Sequence, residues 1–123
     1  ILLDKMLCMI SVTSNPIKSY IYCLRRTFTD RYLADSLSFL IAIKLHADLS
    51  QFALTSKGVI YEGEIYDETE MMKGCDYFVN LVNRFGEGVI ISTAVKLWEY
   101  INSGEKDVKF DDMERELIEK FVK

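Results

Sequence analysis

The chain has 123 residues, of which 50% are hydrophobic, and a formal net charge of −4 at pH 7. This length predicts one domain, residues 1–123, that can build a core without disulfides or metals. The acidic balance argues against nucleic acid as the main partner. Three cysteines without CxxC spacing predict reduced thiols and argue against a secreted disulfide framework.

The first part of the chain leads to a clear helix start signal. Residues 1–11 are apolar but interrupted by charges, and their pattern leaves a short helix and an extended arm both open. The segment is too short and too polar for a membrane span, so we predict no membrane anchor in this chain. Asn15 then precedes Pro16, the pair typical of a helix cap and a first helical position. Apolar residues at helical spacing predict that this helix runs to about Thr29.

A second helix is predicted from a cap at Asp35 or Ser36 to residue 53 or 54. Its apolar face includes Phe52 and is interrupted by Lys44 and Asp48, which lie four residues apart. One interpretation is a self-satisfied pair at the edge of the face, worth a few tenths of a kcal/mol. The other is that Asp48 meets a cation from another element.

Residues 55–67 form the least regular part of the sequence. The run Val59-Ile60-Tyr61 has strand propensity, but one short strand in an otherwise helical chain has no partner. We therefore favour a loop or one distorted helical turn. A helical pattern returns near Glu68 and continues to Phe85, with Gly74 in its interior.

Two glycines separate that helix from the next. Gly86 is suited to end a helix in the left-handed conformation, and Gly88 lacks a Cβ, which lets another backbone come close. Over Gly88–Ile101 the apolar residues cover an arc of roughly 160°, wider than one stripe on a surface helix requires. We therefore predict an all-α fold, a helical bundle around a central hydrophobic helix at about Gly88–Ile101.

The C-terminal part of the sequence predicts one more helix. Asn102-Ser103-Gly104 closes the central helix, and a charged connector follows. Asp111 or Asp112 then caps the last helix. With Asp111 as the cap, Glu114 occupies the third helical position of a capping box.

Residues suited to catalysis or metal binding are scarce. The only histidine, His46, lies away from the main apolar face of its predicted helix and has no ligand partner nearby beyond Asp48, which argues against a metal site. The acidic run at residues 62–70 is typical of a solvated surface. No nucleophile, phosphate-loop or dinucleotide motif is present. We therefore predict that the protein is not an enzyme and has no catalytic residues, metal or cofactor.

The order of these elements resembles the Bcl-2 family of apoptosis regulators, particularly its short, divergent viral members. Residues 17–26 are similar to the family's first helix, with an Ile, a Tyr-Ile pair, then Leu and Arg. Residues 43–52 resemble the BH3 segment, with Ala47 and Asp48 as its small residue and its acid. Residues 81–91 resemble the BH1 segment, whose usual core is Asn-Trp-Gly-Arg followed by aliphatic residues.

The sequence also departs from the family pattern. Gly88 matches the BH1 glycine, but Gly86, Glu87 and Val89 stand where Asn, Trp and Arg are usual. In the family that arginine pairs with the Asp of a bound BH3 helix, and here only Arg84 on the preceding turn is placed to substitute. No BH2-like segment with its tryptophan follows.

The resemblance implies an apoptosis inhibitor that sequesters BH3 helices of pro-apoptotic Bcl-2 proteins in a hydrophobic groove. It implies action in the cytoplasm of a host cell and, through partners, at the mitochondrial surface. Arg84 would hold the acid of the bound helix, and methionines suit the groove floor because they repack around different side chains. For the apolar members the alternative is an ordinary core position. The residues implied to bind the BH3 helix are Asp48, Phe52, Met71, Met72, Val79, Val82, Arg84, Phe85, Gly88 and Val89.

Other functions compete with this interpretation. Val89 in place of the BH1 arginine favours a helical adaptor that shares the fold and uses an outer face or a homodimer surface to block a host signalling protein. The high apolar content is also consistent with a self-associating protein whose partner is its own copy, a homodimer. An enzyme ranks last.

Overall fold

Helices account for most of the residues that the structure describes. The computed structural model describes residues 16–65, 75–104 and 107–123. The predictions for Asn15, for residues 1–11, for the helix start near Glu68 and for Met71 and Met72 lie outside the described residues. The elements are α1 (Pro16–Thr27), α2 (Arg31–Lys44), β1 (Phe52–Thr55), β2 (Gly58–Tyr61), α3 (Asp76–Phe85), α4 (Glu87–Asn102), α5 (Asp112–Leu117) and a π-helical segment (Ile118–Val122).

Helix α1 confirms the predicted start at Pro16 and the predicted apolar stripe. It ends at Thr27, two residues before the predicted end, where the Thr27 hydroxyl donates to the Cys23 carbonyl oxygen at 2.8 Å. Its buried hydrophobic face packs against α2. The buried apolar residues of α1 are Ile17, Tyr20, Ile21 and Leu24.

Helix α2 is the most buried helix among the described residues. Residues 33–42 are all buried, and α2 contacts α1, α4 and β2. The prediction that the helix at residues 88–101 is the centre of the core is therefore wrong. This helix, α4, buries only Ile90, Thr93 and Ala94. The wide apolar arc of α4 shows only which of its residues are apolar. How far they are buried depends on which other elements pack against the helix. Asp35, Ser36 and Ser38 interrupt the apolar pattern of α2, so the sequence pattern does not indicate that this helix is central.

A buried ion pair explains how α2 carries an acid in the core. Asp35 is buried, and its carboxylate accepts two N–H groups of the Arg25 guanidinium at 2.8 and 2.7 Å. The Tyr61 backbone N–H donates to the same carboxylate at 2.9 Å, and Arg25 donates to the Tyr61 carbonyl oxygen at 2.9 Å. Arg31 donates to that carbonyl at 3.1 Å. The network joins α1, α2 and β2.

The predicted cap of α2 is one correction that follows from this network. Asp35 lies inside the helix, and Asp30 is the cap, because its carboxylate accepts the Tyr32 backbone N–H at 2.9 Å. The sequence offered two Asp residues near the helix start. Burial of the second one, Asp35, is compensated mainly by Arg25 and the Tyr61 backbone N–H, which are both distant in the sequence.

The predicted end of the second helix, at residue 53 or 54, is also wrong. The helix ends at Lys44, and His46 follows with a φ of 55°. Asp48 then accepts the Ser50 backbone N–H at 3.0 Å and the Ser50 hydroxyl at 2.8 Å. Such local side-chain hydrogen bonds compete with helical ones. Lys44 and Asp48 are therefore not a helical pair.

A β-hairpin at residues 52–61 takes up part of the loop predicted at residues 55–67. The all-α prediction is therefore confirmed in part, because the described residues are mostly helical but include this small two-stranded sheet. β1 and β2 pair antiparallel, with Phe52 opposite Tyr61 and Thr55 opposite Gly58. The predicted second helix includes Phe52, so the sequence pattern offers no partner strand for Val59-Ile60-Tyr61. Gly58 has a φ of 144°, and a Cβ there would lie 3.1 Å from Ile91 Cγ2 of α4. Glycine thus serves both the turn and the close packing.

The turn between α3 and α4 agrees with the sequence at one glycine and differs at the other. Gly86 ends α3 with a φ of 90°, and its N–H donates to the Val82 carbonyl oxygen at 2.7 Å. Gly88, however, lies in the first turn of α4, and a Cβ there would meet no described atom within 4 Å. The close backbone approach predicted for Gly88 is therefore not found among the described residues.

Helix α5 confirms the predicted capping box. The Asp111 carboxylate accepts the Glu114 N–H at 2.8 Å, and the Glu114 carboxylate accepts the Asp111 N–H at 2.8 Å. Glu114 is buried and also accepts bonds of 2.6 Å from Lys96 Nζ and from the Ser92 hydroxyl. Burial raises the pKa of Glu114, but these hydrogen bonds outweigh it and hold the pKa below its usual range. The acid joins α4 to α5.

Candidate ligand-binding cleft

A cleft of about 510 Å³ opens between α3 and the π-helical segment. Tyr77, Leu81 and Phe85 line it from α3 at intervals of four residues, so they share one face of the helix. Asn80 and Arg84 line its polar border, and Lys120 reaches it from the π-helical segment. We call this cavity the α3 cleft. Its volume lies within the range of about 300–1,000 Å³ that is usual for ligand sites.

Aromatic contacts hold the two walls of the α3 cleft together. Phe121 of the π-helical segment is buried, and its ring centroid lies 6.1 Å from that of Phe78 and 6.0 Å from that of Tyr77. The Phe78 contact is edge-to-face, a favourable arrangement of aromatic rings. Because Phe121 points into the core, its neighbour Lys120 is held at the cleft. Ring packing between Phe121 and the two aromatic residues of α3 therefore fixes the positions of the two walls of the cleft.

Two cations and one carboxylate set the charge at the cleft. Arg84 contacts the Glu116 carboxylate at 2.6 Å, and Lys120 Nζ lies 3.5 Å from the same group. The Arg84 guanidinium and, more weakly, Lys120 hold the pKa of Glu116 below its usual range. Arg84 also lies over the Phe85 ring, 5.3 Å from its centroid. Two positive charges sharing one negative charge leave this border able to bind a further acid.

A second cavity, of about 560 Å³, lies between the hairpin turn and α4. Leu54, Ile91 and Val95 supply its apolar lining, and Gly88 lies at its border. Leu54 is among the exposed large hydrophobic residues. The predicted helix-binding residue Gly88 therefore lies at a different cavity from Arg84 and Phe85.

The structure brings together two of the described residues that the resemblance assigned to BH3 binding, Arg84 and Phe85. Val79, Val82 and Val89 are half-buried and do not line the α3 cleft.

The other two residues, Asp48 and Phe52, lie elsewhere in the fold. Asp48 is exposed in the turn before the hairpin, where Lys18 and Tyr61 also line a small polar cavity. Phe52 is buried in β1, and its ring packs on Phe39 and Tyr61. The hairpin that replaces the end of the predicted helix carries both residues away from α3.

The sequence analysis did not identify Tyr77, Leu81 and Lys120 as cleft residues. It also did not identify Glu116, the carboxylate that pairs with Arg84 and Lys120. The spacing of four between Tyr77, Leu81 and Phe85 is a signal that points to one shared face. No sequence signal places Lys120 beside α3, since that contact depends on how Phe121 packs.

Comparison of the chain with protein-family models, with curated proteins and with solved structures found no match. Within residues 16–65, 75–104 and 107–123, no helix combines the length and apolarity that crossing a bilayer requires. In the same residues, no group of three or more His, Cys, Asp or Glu side chains is arranged to hold a metal ion.

Proposed function

We propose that this protein is a non-catalytic binding domain that sequesters BH3 helices of pro-apoptotic Bcl-2 proteins in the α3 cleft. The observation that carries the proposal is the apolar face of Tyr77, Leu81 and Phe85 beside Arg84 and Lys120, which share one carboxylate. A BH3 helix offers the complement, an apolar face with an acid. The proposal includes a Bcl-2-like arrangement of the helices and the role of a viral apoptosis inhibitor in the host cytoplasm.

The apolar residues supply affinity and the cations supply orientation. Leu81 and Phe85 are buried in the wall, so the exposed part of the site is shallow and a bound helix has to contribute its own large side chains. The side chains of Arg84 and Lys120 are 52% and 54% exposed. Exposed charge pairs contribute only about 0.2–1 kcal/mol each. Charge should therefore influence the association rate more than the final affinity.

A fluorescence titration with a panel of labelled BH3 peptides tests the proposal. We expect at least one peptide to bind with a Kd tighter than about 10 µM, roughly −7 kcal/mol. The double variant R84E/K120E should weaken that peptide about 5- to 30-fold, because two attractive contacts become repulsive. As a control, Lys57→Glu reverses a single charge at the second cavity and should leave the affinity unchanged. The proposal would be contradicted if no peptide of the panel bound at 10 µM, or if Lys57→Glu lowered the peptide affinity as much as R84E/K120E.

A second candidate function is an adaptor that acts through an outer face or as a homodimer. It is favoured by exposed large hydrophobic side chains on α4 and α5: Tyr100 at 55%, Ile101 at 44% and Met113 at 40% exposure. Light scattering over a range of protein concentrations tests self-association through this surface. A dimer that is lost in Ile101→Lys, together with no BH3 binding, would favour this second function.

A further inference from the structure

Two cysteines from distant parts of the chain meet where α1 packs on the start of α3. The Tyr20 ring on α1 lies edge-to-face with Phe78 on α3, with centroids 6.1 Å apart. Cys23 follows Tyr20 by three residues, and Cys75 precedes Phe78 by three. Both cysteines therefore lie one helical turn from the ring contact, in opposite chain directions. The pKa of each thiol is shifted mainly by a hydrogen bond to the other. Both residues are half-buried, so a small oxidant can reach them.

The surroundings of the pair make the two sulfurs chemically unequal. The hydrogen bond from Cys23 is the main cause that lowers the pKa of Cys75, to about 6, with a smaller contribution from the Thr27 hydroxyl. The same hydrogen bond and burial raise the pKa of Cys23. Cys75 also stands at the N-terminal end of α3, where the helix dipole favours a negative charge. Because Cys75 stands at this helix end, it is the thiol expected to ionise first and attack, with Cys23 as the resolving thiol.

We propose that Cys23 and Cys75 form a reversible intramolecular disulfide on exposure to hydrogen peroxide. In the first step the Cys75 thiolate attacks one peroxide oxygen; an S–O bond forms, the O–O bond breaks, and the leaving hydroxide takes a proton to become water. In the second step the Cys23 sulfur attacks the Cys75 sulfenic sulfur. The S–S bond forms, the S–O bond breaks, and the second oxygen leaves as water with the Cys23 proton. Two thiols lose two electrons in total, and the peroxide gains them.

The disulfide would tie α1 to the start of α3, the helix that lines the α3 cleft. Closing the long chain segment between the two cysteines restricts the unfolded chain, so the oxidised protein should melt at a higher temperature, by roughly 5–15 °C. This inference does not depend on the proposed ligand, since it concerns only the thiols and their packing.

The test is oxidation followed by peptide mapping. The Cys8→Ser variant, which retains only Cys23 and Cys75, is treated with hydrogen peroxide at pH 7 and alkylated. We expect loss of both free thiols, a mass lower by two hydrogens, and a tryptic link between residues 19–25 and 74–84, all reversed by dithiothreitol. The unmodified chain, treated in the same way, should give the same linked peptides, which guards against misfolding of the variant.

Two matched variants separate the roles of the sulfurs. In C8S/C23S, Cys75 should accumulate as a sulfenic acid that dimedone labels, because no resolving thiol is present. In C8S/C75S, Cys23 should react much more slowly with peroxide, by roughly tenfold or more. Persistence of both thiols in C8S, or oxidation that gives only intermolecular dimers or sulfinic acid, would overturn the proposal.

Discussion

Replacing Asp35 by asparagine tests whether the buried ion network holds the fold together. The substitution keeps the shape of the side chain and one carbonyl oxygen but removes the negative charge that faces Arg25. In the structure that charge accepts two Arg25 N–H groups and the Tyr61 backbone N–H, all within 2.9 Å. Asparagine can accept only part of this set, and its NH₂ group would face another donor.

The size of the effect follows from burial. The Asp35 side chain is 0% exposed and that of Arg25 is 26% exposed, so the pair is poorly screened by water. Removing one partner of a buried ion pair costs about 3–5 kcal/mol. Because asparagine keeps one acceptor, we expect the lower end, about 3 kcal/mol. With an unfolding entropy of roughly 0.26 kcal/mol/K for a chain of this length, the Tm should fall by about 12 °C.

Urea denaturation followed by far-UV circular dichroism at pH 7 measures this change, with Asp107→Asn as a matched control at an exposed position. The control should stay within about 0.5 kcal/mol of the parent protein. In the double variant R25M/D35N the two losses should sum to at least about 1 kcal/mol more than the measured loss, since both remove the same contact. A D35N protein within about 1 kcal/mol of the parent, or strict additivity, would refute the reasoning.

Further predictions concern another buried acid, the α3–α4 turn and a buried hydroxyl. Glu114→Gln should lower the unfolding free energy by about 1–3 kcal/mol at pH 7. Because the pKa of Glu114 is lower in the folded protein than its unfolded value of 4.5, the stabilisation by its charge is present above pH 4.5 and is lost as the pH falls further. Urea titrations should therefore show the difference in unfolding free energy between parent and variant narrowing below pH 4.5. Gly86→Ala should lower the unfolding free energy by about 1–3 kcal/mol, because a φ of 90° disfavours a residue with a Cβ. Gly88→Ala lies at an open helical position and should be neutral or stabilising by up to about 1 kcal/mol. Equal melting temperatures for the two variants would contradict this. Tyr20→Phe should change the unfolding free energy by less than about 1 kcal/mol, since the buried Tyr20 hydroxyl finds no partner among the described residues, and a larger loss in chemical denaturation would point to a bond that the described contacts do not include.

Local signals in the sequence predicted local structure well. The start of α1 at Pro16, the positive φ of Gly86 and the capping box of Asp111 and Glu114 each depend on a few neighbouring residues, and all three are confirmed. Mostly helical character follows from the same kind of periodicity.

Features that depend on distant contacts could not be predicted in the same way. The hairpin forms only when β1 pairs with β2. Its first residue, Phe52, also fits the apolar stripe of a helix, so the sequence pattern favours the helix there. Asp35 can be buried in α2 because it pairs with Arg25 of α1. That pairing cannot be recognised from neighbouring residues, and the sequence therefore predicts Asp35 as a helix cap. The α3 cleft was half predictable. Arg84 and Phe85 come from a local motif, but Lys120 arrives only through tertiary packing.

The bonds that Asp35, Arg25 and Arg31 make to Tyr61 also protect the outer side of a two-stranded sheet. Hairpins leave backbone N–H and C=O groups open along their edges, where a strand of another molecule can add and start aggregation. At Tyr61 both groups are already occupied by side chains of α1 and α2. An incoming strand would have to displace three charged groups to pair there, so the same contacts that anchor the hairpin also discourage edge-to-edge assembly.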